Sequence, residues 1–177
     1  YLDIEDLRVH SISDINSALR RVPGVYVRPE DGYGNFPNIS LRGIDMGRSS
    51  KVTIMEDGIL AAPAPYSAPS AYYSPNMERM SGLEVIKGSS QVKYGPHTTG
   101  GAINYLSTQI PEDVTTYSRI YYGEFDEMVS HIYHGGKKDT DLGRIGYLVE
   151  GYYRNTEGFK ELQGETGETG FTRSEPM

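Results

Sequence analysis

The sequence predicts an α+β domain over residues 1–110, followed by antiparallel β-strands over residues 111–177. In the first region one amphipathic helix and several short apolar strands alternate with turns rich in Gly, Pro and Asp, which is typical of a small mixed sheet with short helices. From Tyr117 onwards the pattern changes to tyrosine-rich segments at even spacing. The 177 residues include no cysteine, which excludes a disulfide framework and a Cys-ligated metal.

Charge and apolarity restrict the partners further. The net charge of −7 argues against nucleic acid as the main partner. The sequence contains no run of about 18 apolar residues, which a transmembrane helix would require. A transmembrane β-strand needs only about 9–11 residues with alternating apolarity, so the composition leaves that kind of membrane protein open.

The elements of the first region follow in chain order. A helix is predicted from Asp14 to Val22, where Ser13 can cap the start and Pro23-Gly24 ends it. A helical turn is predicted near Asn76–Met80 and a tight turn at Asp57-Gly58. The predicted strands are Val25–Arg28, Ile39–Arg42, Val52–Glu56, Leu83–Lys87 and Ala102–Leu106.

Glycine-rich and proline-rich loops separate these strands. The stretch from Ala61 to Pro75 holds four prolines and three tyrosines, which is too irregular for regular structure and too aromatic for a mere linker. The stretch Val92–Asn104 (V-K-Y-G-P-H-T-T-G-G-A-I-N) places Y-G-P and a Gly-Gly pair close to an apolar strand. Such glycines mark backbone at positive φ or in close approach to another chain segment. This loop is therefore either a tight structural corner or part of a site.

Three segments of the second region read as strands, and seven of the fifteen tyrosines lie between Tyr117 and Tyr153. In the third segment, Arg144–Arg154, apolar and aromatic side chains fall on one face while Glu150 and Arg154 fall on the other. This alternation and the tyrosines fit the girdled strands of an outer-membrane barrel. They fit an antiparallel meander in a soluble sandwich equally well.

Motifs for catalysis or metal binding are weak. His131 and His134 are three residues apart on a predicted strand, so they face opposite sides and cannot share a metal without a bulge. The patterns G-x-S-x-G, H-E-x-x-H and G-x-x-x-x-G-K-[ST] do not occur. Glu56-Asp57 could be an acid pair, but Asp-Gly after a strand is more often a turn. The sequence therefore predicts neither an enzyme nor a resident cofactor or metal.

The order of five motifs resembles the plug domain of TonB-dependent outer-membrane receptors. The succession covers nearly all of residues 5–108 and is specific as a set, although each motif alone is weak. Y-G-P followed by G-G-A-I-N, and A-P-Y at residues 64–66, look most like the ferric-citrate-type transporters. The motifs are L-R-R-V-P-G-V (19–25), I-S-L-R-G-I (39–44), V-T-I-M-E-D-G-I (52–59), E-R-M-S-G-L-E-V-I-K-G (78–88) and the stretch Val92–Asn104.

The resemblance implies a fold, a location and a function. A plug over residues 1–110 would sit inside a barrel of about 22 strands, and residues 111–177 would be the first of those strands. The protein would lie in the outer membrane of a Gram-negative bacterium and take up a ferric chelate, driven by TonB, without breaking or making a bond. The TonB-contacting segment, the TonB box, is expected upstream of Tyr1, and further strands are expected beyond Met177. The rival expectation is a soluble periplasmic or secreted interaction module with no transport role.

The resemblance also assigns residues. Gly95, Gly100 and Gly101 become structural, at a tight turn between two sheet strands. Arg42 and Lys87 match the plug residues that pair with glutamates on the barrel wall. An anionic iron–citrate complex favours guanidinium and hydroxyl donors, which the apical loops supply at Arg48, Ser49, Tyr66, Ser67, Ser70, Tyr72 and Tyr73.

One departure leaves the ligand open. Ala68 stands where ferric-citrate receptors carry a glutamine. Another carboxylate siderophore, or a nickel or sugar chelate, is therefore an alternative to ferric citrate.

Overall fold

The computed structural model describes the chain as two compact units, Tyr1–Gln109 and Ile110–Met177. The residues that the structure describes are 2–3, 15–29, 37–44, 47–61, 75–95, 98–141 and 143–158. No helix in these described ranges is long and apolar enough to cross a membrane.

A five-stranded mixed sheet dominates the first unit. Its strands are β1 (Leu2–Asp3), β4 (Val52–Glu56), β5 (Ile59–Leu60), β6 (Met80–Ile86) and β7 (Gly101–Ser107). Their order across the sheet is β1-β6-β7-β4-β5. Strands β4 and β7 are parallel, whereas the other neighbours are antiparallel.

A short helix and a separate strand pair complete this unit. Helix α1 (Ile15–Arg20) leads into β2 (Val25–Pro29), which pairs antiparallel with β3 (Pro37–Leu41). The core joins residues of the helix, the strand pair and the central strands of the sheet. Its buried members are Ala18, Leu19, Val25, Ile39, Leu41, Val52, Ile54, Met77, Met80, Leu83, Ile103 and Tyr105.

Several predicted boundaries are wrong by one to three residues. Helix α1 ends at Arg20 instead of Val22, because the amides of Arg21 and Val22 bond the carbonyls three residues back, the tightening that precedes a helix stop. Strand β3 ends at Leu41 because Arg42 adopts a left-handed φ of 56°. Strand β6 begins at Met80, three residues before the predicted Leu83, and the helical turn is a 3-10 turn over Met77–Arg79. The predicted cap Ser13 and helix start Asp14 lie outside the described residues.

Within its described residues, 110–141 and 143–158, the second unit forms a three-stranded antiparallel sheet. It consists of β8 (Thr115–Tyr122), β9 (Met128–Thr140) and β10 (Gly143–Asn155), in the order β10-β9-β8. Its two faces differ in chemistry. The lipid-type face, as we name it here, exposes the large apolar and aromatic side chains Ile120, Tyr122, Ile132, Ile145, Tyr147, Val149 and Tyr153.

The opposite face carries polar and aromatic side chains that cover one another. His131 is only 3% exposed, and its Nε2 lies 2.8 Å from Glu150 Oε1. The rings of Tyr117 and Tyr133 stack at 5.0 Å beside it. Near the β8–β9 loop, Arg154 Nε donates to Glu127 Oε1 at 2.7 Å. Polar and apolar side chains thus alternate along β10, as the sequence predicts.

The segment that leads into β8 is fixed to the far ends of β9 and β10. Lys137 Nζ lies 2.6 Å from Glu112 Oε1, and the Arg144 guanidinium donates to the other oxygen of the same carboxylate. Glycines leave room for this crossing, because a Cβ at Gly136 would meet the Val114 backbone at 2.8 Å.

Candidate functional site

The loop between β6 and β7 has a packing reason for its glycines. A Cβ at Gly101, where φ is +145°, would lie 2.3 Å from Leu41 Cδ1 and 2.7 Å from the Ile86 carbonyl oxygen. A Cβ at Gly100 would lie 2.9 Å from the Lys51 carbonyl oxygen, which accepts the Gly100 amide at 2.8 Å. Only glycine tolerates such backbone approaches. Gly95 supplies a third special conformation, with φ of +100°.

The Asp57-Gly58 turn is bound to the end of β7. Both residues have positive φ, 51° and 79°, as a two-residue type I′ hairpin requires. Asp57 Oδ1 accepts the Ser107 amide at 3.0 Å, and Oδ2 accepts the Ser107 hydroxyl at 2.6 Å. The Gly58 amide donates to Asn104 Oδ1 at 2.8 Å. The Asp57 carboxylate therefore serves as a structural clamp for the hairpin.

Its neighbour Glu56 is also engaged. Arg79 Nη2 lies 2.5 Å from Glu56 Oε1, with both side chains about one quarter exposed. The two carboxylates that could have formed an acid pair thus bind separate partners, Ser107 of β7 for Asp57 and Arg79 of the 3-10 turn for Glu56.

Arg42 and Lys87 meet at the turn that follows α1. The Arg42 amide donates to the Gly24 carbonyl at 2.8 Å, while the Lys87 ammonium donates to the Pro23 carbonyl. Arg42 is exposed and Lys87 is half-buried. An open groove of about 480 Å³ adjoins Arg42, lined by Leu41, Arg42, Gly43, Ile44 and Thr99.

The surface around this turn is basic in an otherwise acidic chain. Residues 15–29, 37–44 and 87–95 contain no Asp or Glu. They contain the cations Arg20, Arg21, Arg28, Arg42, Lys87 and Lys93. We call these three ranges the basic end of the first unit. Its positive potential favours anionic ligands or acidic partner surfaces. The sequence motifs alone did not indicate this grouping, because the cations come from separate segments.

The predicted ligand residues fall in two groups. Ser49 is fully buried in a 3-10 turn over Gly47–Ser49, and its Oγ accepts the Ile39 amide at 2.8 Å. This bond fixes the turn that carries Arg48. The other predicted contacts, Tyr66, Ser67, Ser70, Tyr72 and Tyr73, lie outside the described residues. Their loop leaves the sheet at Ala61, whose amide donates to the Ile54 carbonyl at 3.0 Å.

The two strand histidines lie on opposite faces of the second sheet, as the alternation predicts. His131 contacts Glu150, whereas His134 contacts Thr116 and Tyr147. Across the described part of the chain, no group of three or more His, Asp or Glu residues could hold a metal ion.

Solved structures share this architecture at low sequence identity. The unliganded ferric citrate transporter FecA matches with 24% identity and a TM-score of 0.59, over 81% of this chain and 23% of that chain. The pyoverdine outer membrane receptor FpvA of Pseudomonas aeruginosa PAO1 matches with 20% identity and a TM-score of 0.62, over 84% and 20%. The siderophore receptor PirA of Acinetobacter baumannii matches with 20% identity and a TM-score of 0.58, over 88% and 24%.

The predicted fold class, an α+β plug domain followed by antiparallel barrel strands, is confirmed by these matches. The chain spans less than a quarter of the length of each of these relatives. Of these relatives, FpvA is an outer membrane receptor and PirA is a siderophore receptor. The family model of the TonB-dependent Receptor Plug Domain matches residues 2–102, so the chain belongs to the TonB-dependent receptor plug-domain family.

Proposed function

We propose that the intact protein is an energy-coupled outer-membrane receptor that takes up a ferric chelate. The first unit is the plug that gates the channel, and the second unit supplies the first strands of its wall. The main support for this proposal is the lipid-type face, which exposes seven large apolar and aromatic side chains along three consecutive strands. Such a face fits the lipid-facing wall of a barrel, since soluble monomers rarely expose so large an apolar patch.

The rival hypothesis, a soluble interaction module, accounts less well for this sheet. A soluble meander would turn its apolar face toward a core. Here the half-buried face instead carries His131, Glu150 and Arg154, as the inner wall of a water-filled barrel does.

Transport in this proposal requires no bond chemistry. TonB binds a segment upstream of residue 1 and pulls on the plug, and the ligand then passes through the opened lumen. The occupied carboxylates Glu56 and Asp57 agree with a role that is not enzymatic, and no resident cofactor is needed. Iron enters only as part of the bound chelate.

The ligand of the proposal is an anionic ferric chelate, namely ferric citrate or a similar carboxylate siderophore. The basic end of the first unit supports an anionic ligand, because its three ranges contain six cations and no carboxylate, and four of these cations are not used in the attachment to the wall. Arg48 and the loop residues Tyr66, Ser67, Ser70, Tyr72 and Tyr73 supply the contacts, while Ser49 holds the turn under Arg48. One relative is a ferric citrate transporter and another is a pyoverdine receptor, so the proposal extends to more than one siderophore.

Attachment of the plug to the wall is the second part of the proposal. Arg42 pairs with a wall carboxylate, because its guanidinium is exposed at the rim of an open groove. Lys87 belongs to the same attachment, but its ammonium also holds the Pro23 carbonyl. Arg42→Ala should therefore raise antibiotic leakage through the receptor more than Lys87→Ala does. Equal, wild-type leakage in both variants would count against the attachment.

Uptake of radiolabelled iron by cells that express the intact receptor tests the function. We expect uptake of a ferric carboxylate chelate that stops when the proton gradient is collapsed. Arg48→Ala combined with Tyr66→Ala should weaken chelate binding at least about tenfold, because each lost charge-assisted hydrogen bond is worth roughly 1.5–3 kcal/mol. Lys51→Ala, at an exposed cation of the first unit that lies outside the basic end, is the matched control. Uptake that ignores the proton gradient would contradict the proposal.

A further inference from the structure

A polar triad interrupts the lipid-type face of the second unit. It joins all three strands through Thr116 of β8, His134 of β9 and Tyr147 of β10. Thr116 Oγ1 lies 2.8 Å from His134 Nδ1, and the Tyr147 hydroxyl lies 3.0 Å from His134 Nε2. Both ring nitrogens of the histidine are thus bonded by hydroxyls, on a face that exposes mainly large apolar and aromatic side chains.

The triad has one more hydrogen-bond donor than its two internal hydrogen bonds use. A neutral imidazole carries one N–H, and each hydroxyl carries one hydrogen that it can donate. The two hydrogen bonds use two of these three hydrogens, so one hydroxyl hydrogen is left over in either tautomer. Within the described residues, no further side chain or carbonyl contacts either hydroxyl. In a bilayer, an unsatisfied donor is costly, and lipid oxygens are the acceptors at hand.

A cation lies on the same face, toward the β9–β10 turn. Lys138 is four residues from His134 along β9, which is about 13 Å of extended strand. It is exposed, and its long apolar stem can lie along the sheet while the ammonium stays at the aqueous edge of the membrane. The adjacent Asp139 faces the other side, where its carboxylate lies 3.8 Å from Arg144.

Apolar side chains continue from the triad in the opposite direction. Ile132 and Ile120 lie on the same face, farther from the β9–β10 turn, and both are exposed. The connection between β9 and β10 is only two residues long, as periplasmic turns of outer-membrane barrels are. Cation, hydroxyl donor and apolar surface therefore follow one another in the order in which a lipid presents its phosphate, its ester region and its chains.

We propose that Thr116, His134, Tyr147 and Lys138 form a binding site for the headgroup of one phospholipid at the turn-side edge of the membrane. Lys138 pairs with the phosphate, the spare hydroxyl hydrogen of the triad donates to a lipid oxygen, and the acyl chains lie along Ile132 and Ile120. This inference rests on the proposed function, because it requires that the sheet face lipid.

Native mass spectrometry of the intact receptor, titrated in detergent with phosphatidylglycerol, tests the site. The site variant combines Thr116→Val, His134→Leu, Tyr147→Phe and Lys138→Gln, which removes the hydroxyl and imidazole donors and the charge. We expect its lipid affinity to fall at least about tenfold, since a hydrogen bond to a charged group alone contributes that much. The control variant, Tyr153→Phe with Lys93→Gln, removes one hydroxyl and one charge elsewhere and should bind within about twofold of wild type.

A second arm isolates the phosphate. Diacylglycerol with the same acyl chains should bind wild-type receptor at least about tenfold more weakly than phosphatidylglycerol does. Equal binding of the two lipids, or wild-type phosphatidylglycerol affinity in the site variant, would overturn the site. Circular dichroism of the site variant verifies that its strands form.

Failure of the lipid site and failure of the proposed receptor function give different experimental results. Cell fractionation and iron uptake report on the receptor, whereas the lipid titration reports on the site. A receptor that resides in the outer membrane and imports iron, but whose lipid binding ignores the triad, refutes only this inference. A protein absent from the membrane fraction refutes the proposed function itself.

Discussion

The two units differ in where their large apolar side chains lie: the first unit buries them, whereas the second exposes them. In the first unit the large apolar side chains are collected in one core, with Leu83, Ile103 and Tyr105 fully buried. In the second unit the largest apolar side chains are outside, and the polar pair His131–Glu150 is covered. The rule that apolar surface avoids water accounts for the core of the first unit and, in the proposed barrel wall, for the exposed apolar face of the second.

Truncation of a core residue should break this comparison most strongly. Leu83 is fully buried in the core of the first unit, whereas Val149 is 70% exposed in the second. Leu83→Ala should lower the free energy of unfolding of the first unit by about 2–5 kcal/mol, because lost transfer energy and a cavity add together. Hydrogen exchange of β6 and β7 amides in the intact receptor measures this. Val149→Ala should leave that exchange unchanged; similar effects of both variants would contradict the assignment of a single core.

Charges on exposed residues should distinguish the two solvents. Val149→Lys should destabilise the folded receptor in lipid by about 2–4 kcal/mol if the residue lies near the middle of the bilayer. Ile59→Lys, at a residue of the first unit that is 75% exposed, should change stability by no more than about 0.5 kcal/mol. Folding titrations into lipid vesicles compare the two variants. A harmless lysine at 149 would show that this face meets water.

The glycine corner offers a smaller test that belongs to the first unit alone. Gly101→Ala places a Cβ against Leu41 and the Ile86 carbonyl at a φ that L-residues avoid. We expect a loss of about 1–3 kcal/mol, typical of overpacking, seen as faster exchange of β7 amides. Gly143→Ala is the control in the second unit: its φ is also positive, at +116°, but a Cβ there meets nothing within 4 Å. If both variants lost the same stability, the positive φ alone, and not the contact of the Cβ, would explain the effect.

Acid should weaken the contacts that hold residues 112–114, the segment that leads into β8. This is the smallest of the four expected effects. A hydrogen bond from Lys137 first, and the charge of Arg144 after it, hold the pKa of Glu112 below its ordinary value of 4.5. A lowered pKa means that the contribution of this carboxylate is present above the unfolded pKa and is lost as the pH falls through the folded one. Exchange of the amides of residues 112–114 should accelerate roughly twofold below about pH 4.5 relative to the intrinsic rate. Glu112→Gln should remove this pH dependence. If the dependence persists in the variant, another titrating group causes it.

The sequence predicted best where the determinants are local. Strand β4 was predicted at its observed bounds, since Val52–Glu56 is a short apolar run that ends at Asp57-Gly58, whose chemistry permits two positive φ values. The faces of β10 followed from the two-residue period of a strand. Boundaries of α1, β3 and β6 were less accurate, because helix ends and turn residues depend on hydrogen bonds that the sequence pattern does not display.

Of the candidate site, the sequence alone determined the family and the chain order of its motifs, because those are properties of consecutive residues. Only the tertiary structure decided how the side chains are used. It brought Lys87 to the Pro23 carbonyl across 64 residues, Ser49 to the Ile39 amide across 10, and Glu112 to Lys137 and Arg144 across 25 and 32. Each of these contacts forms only when the packing of strands and turns brings two separated segments side by side. Local propensity carries little information about that packing.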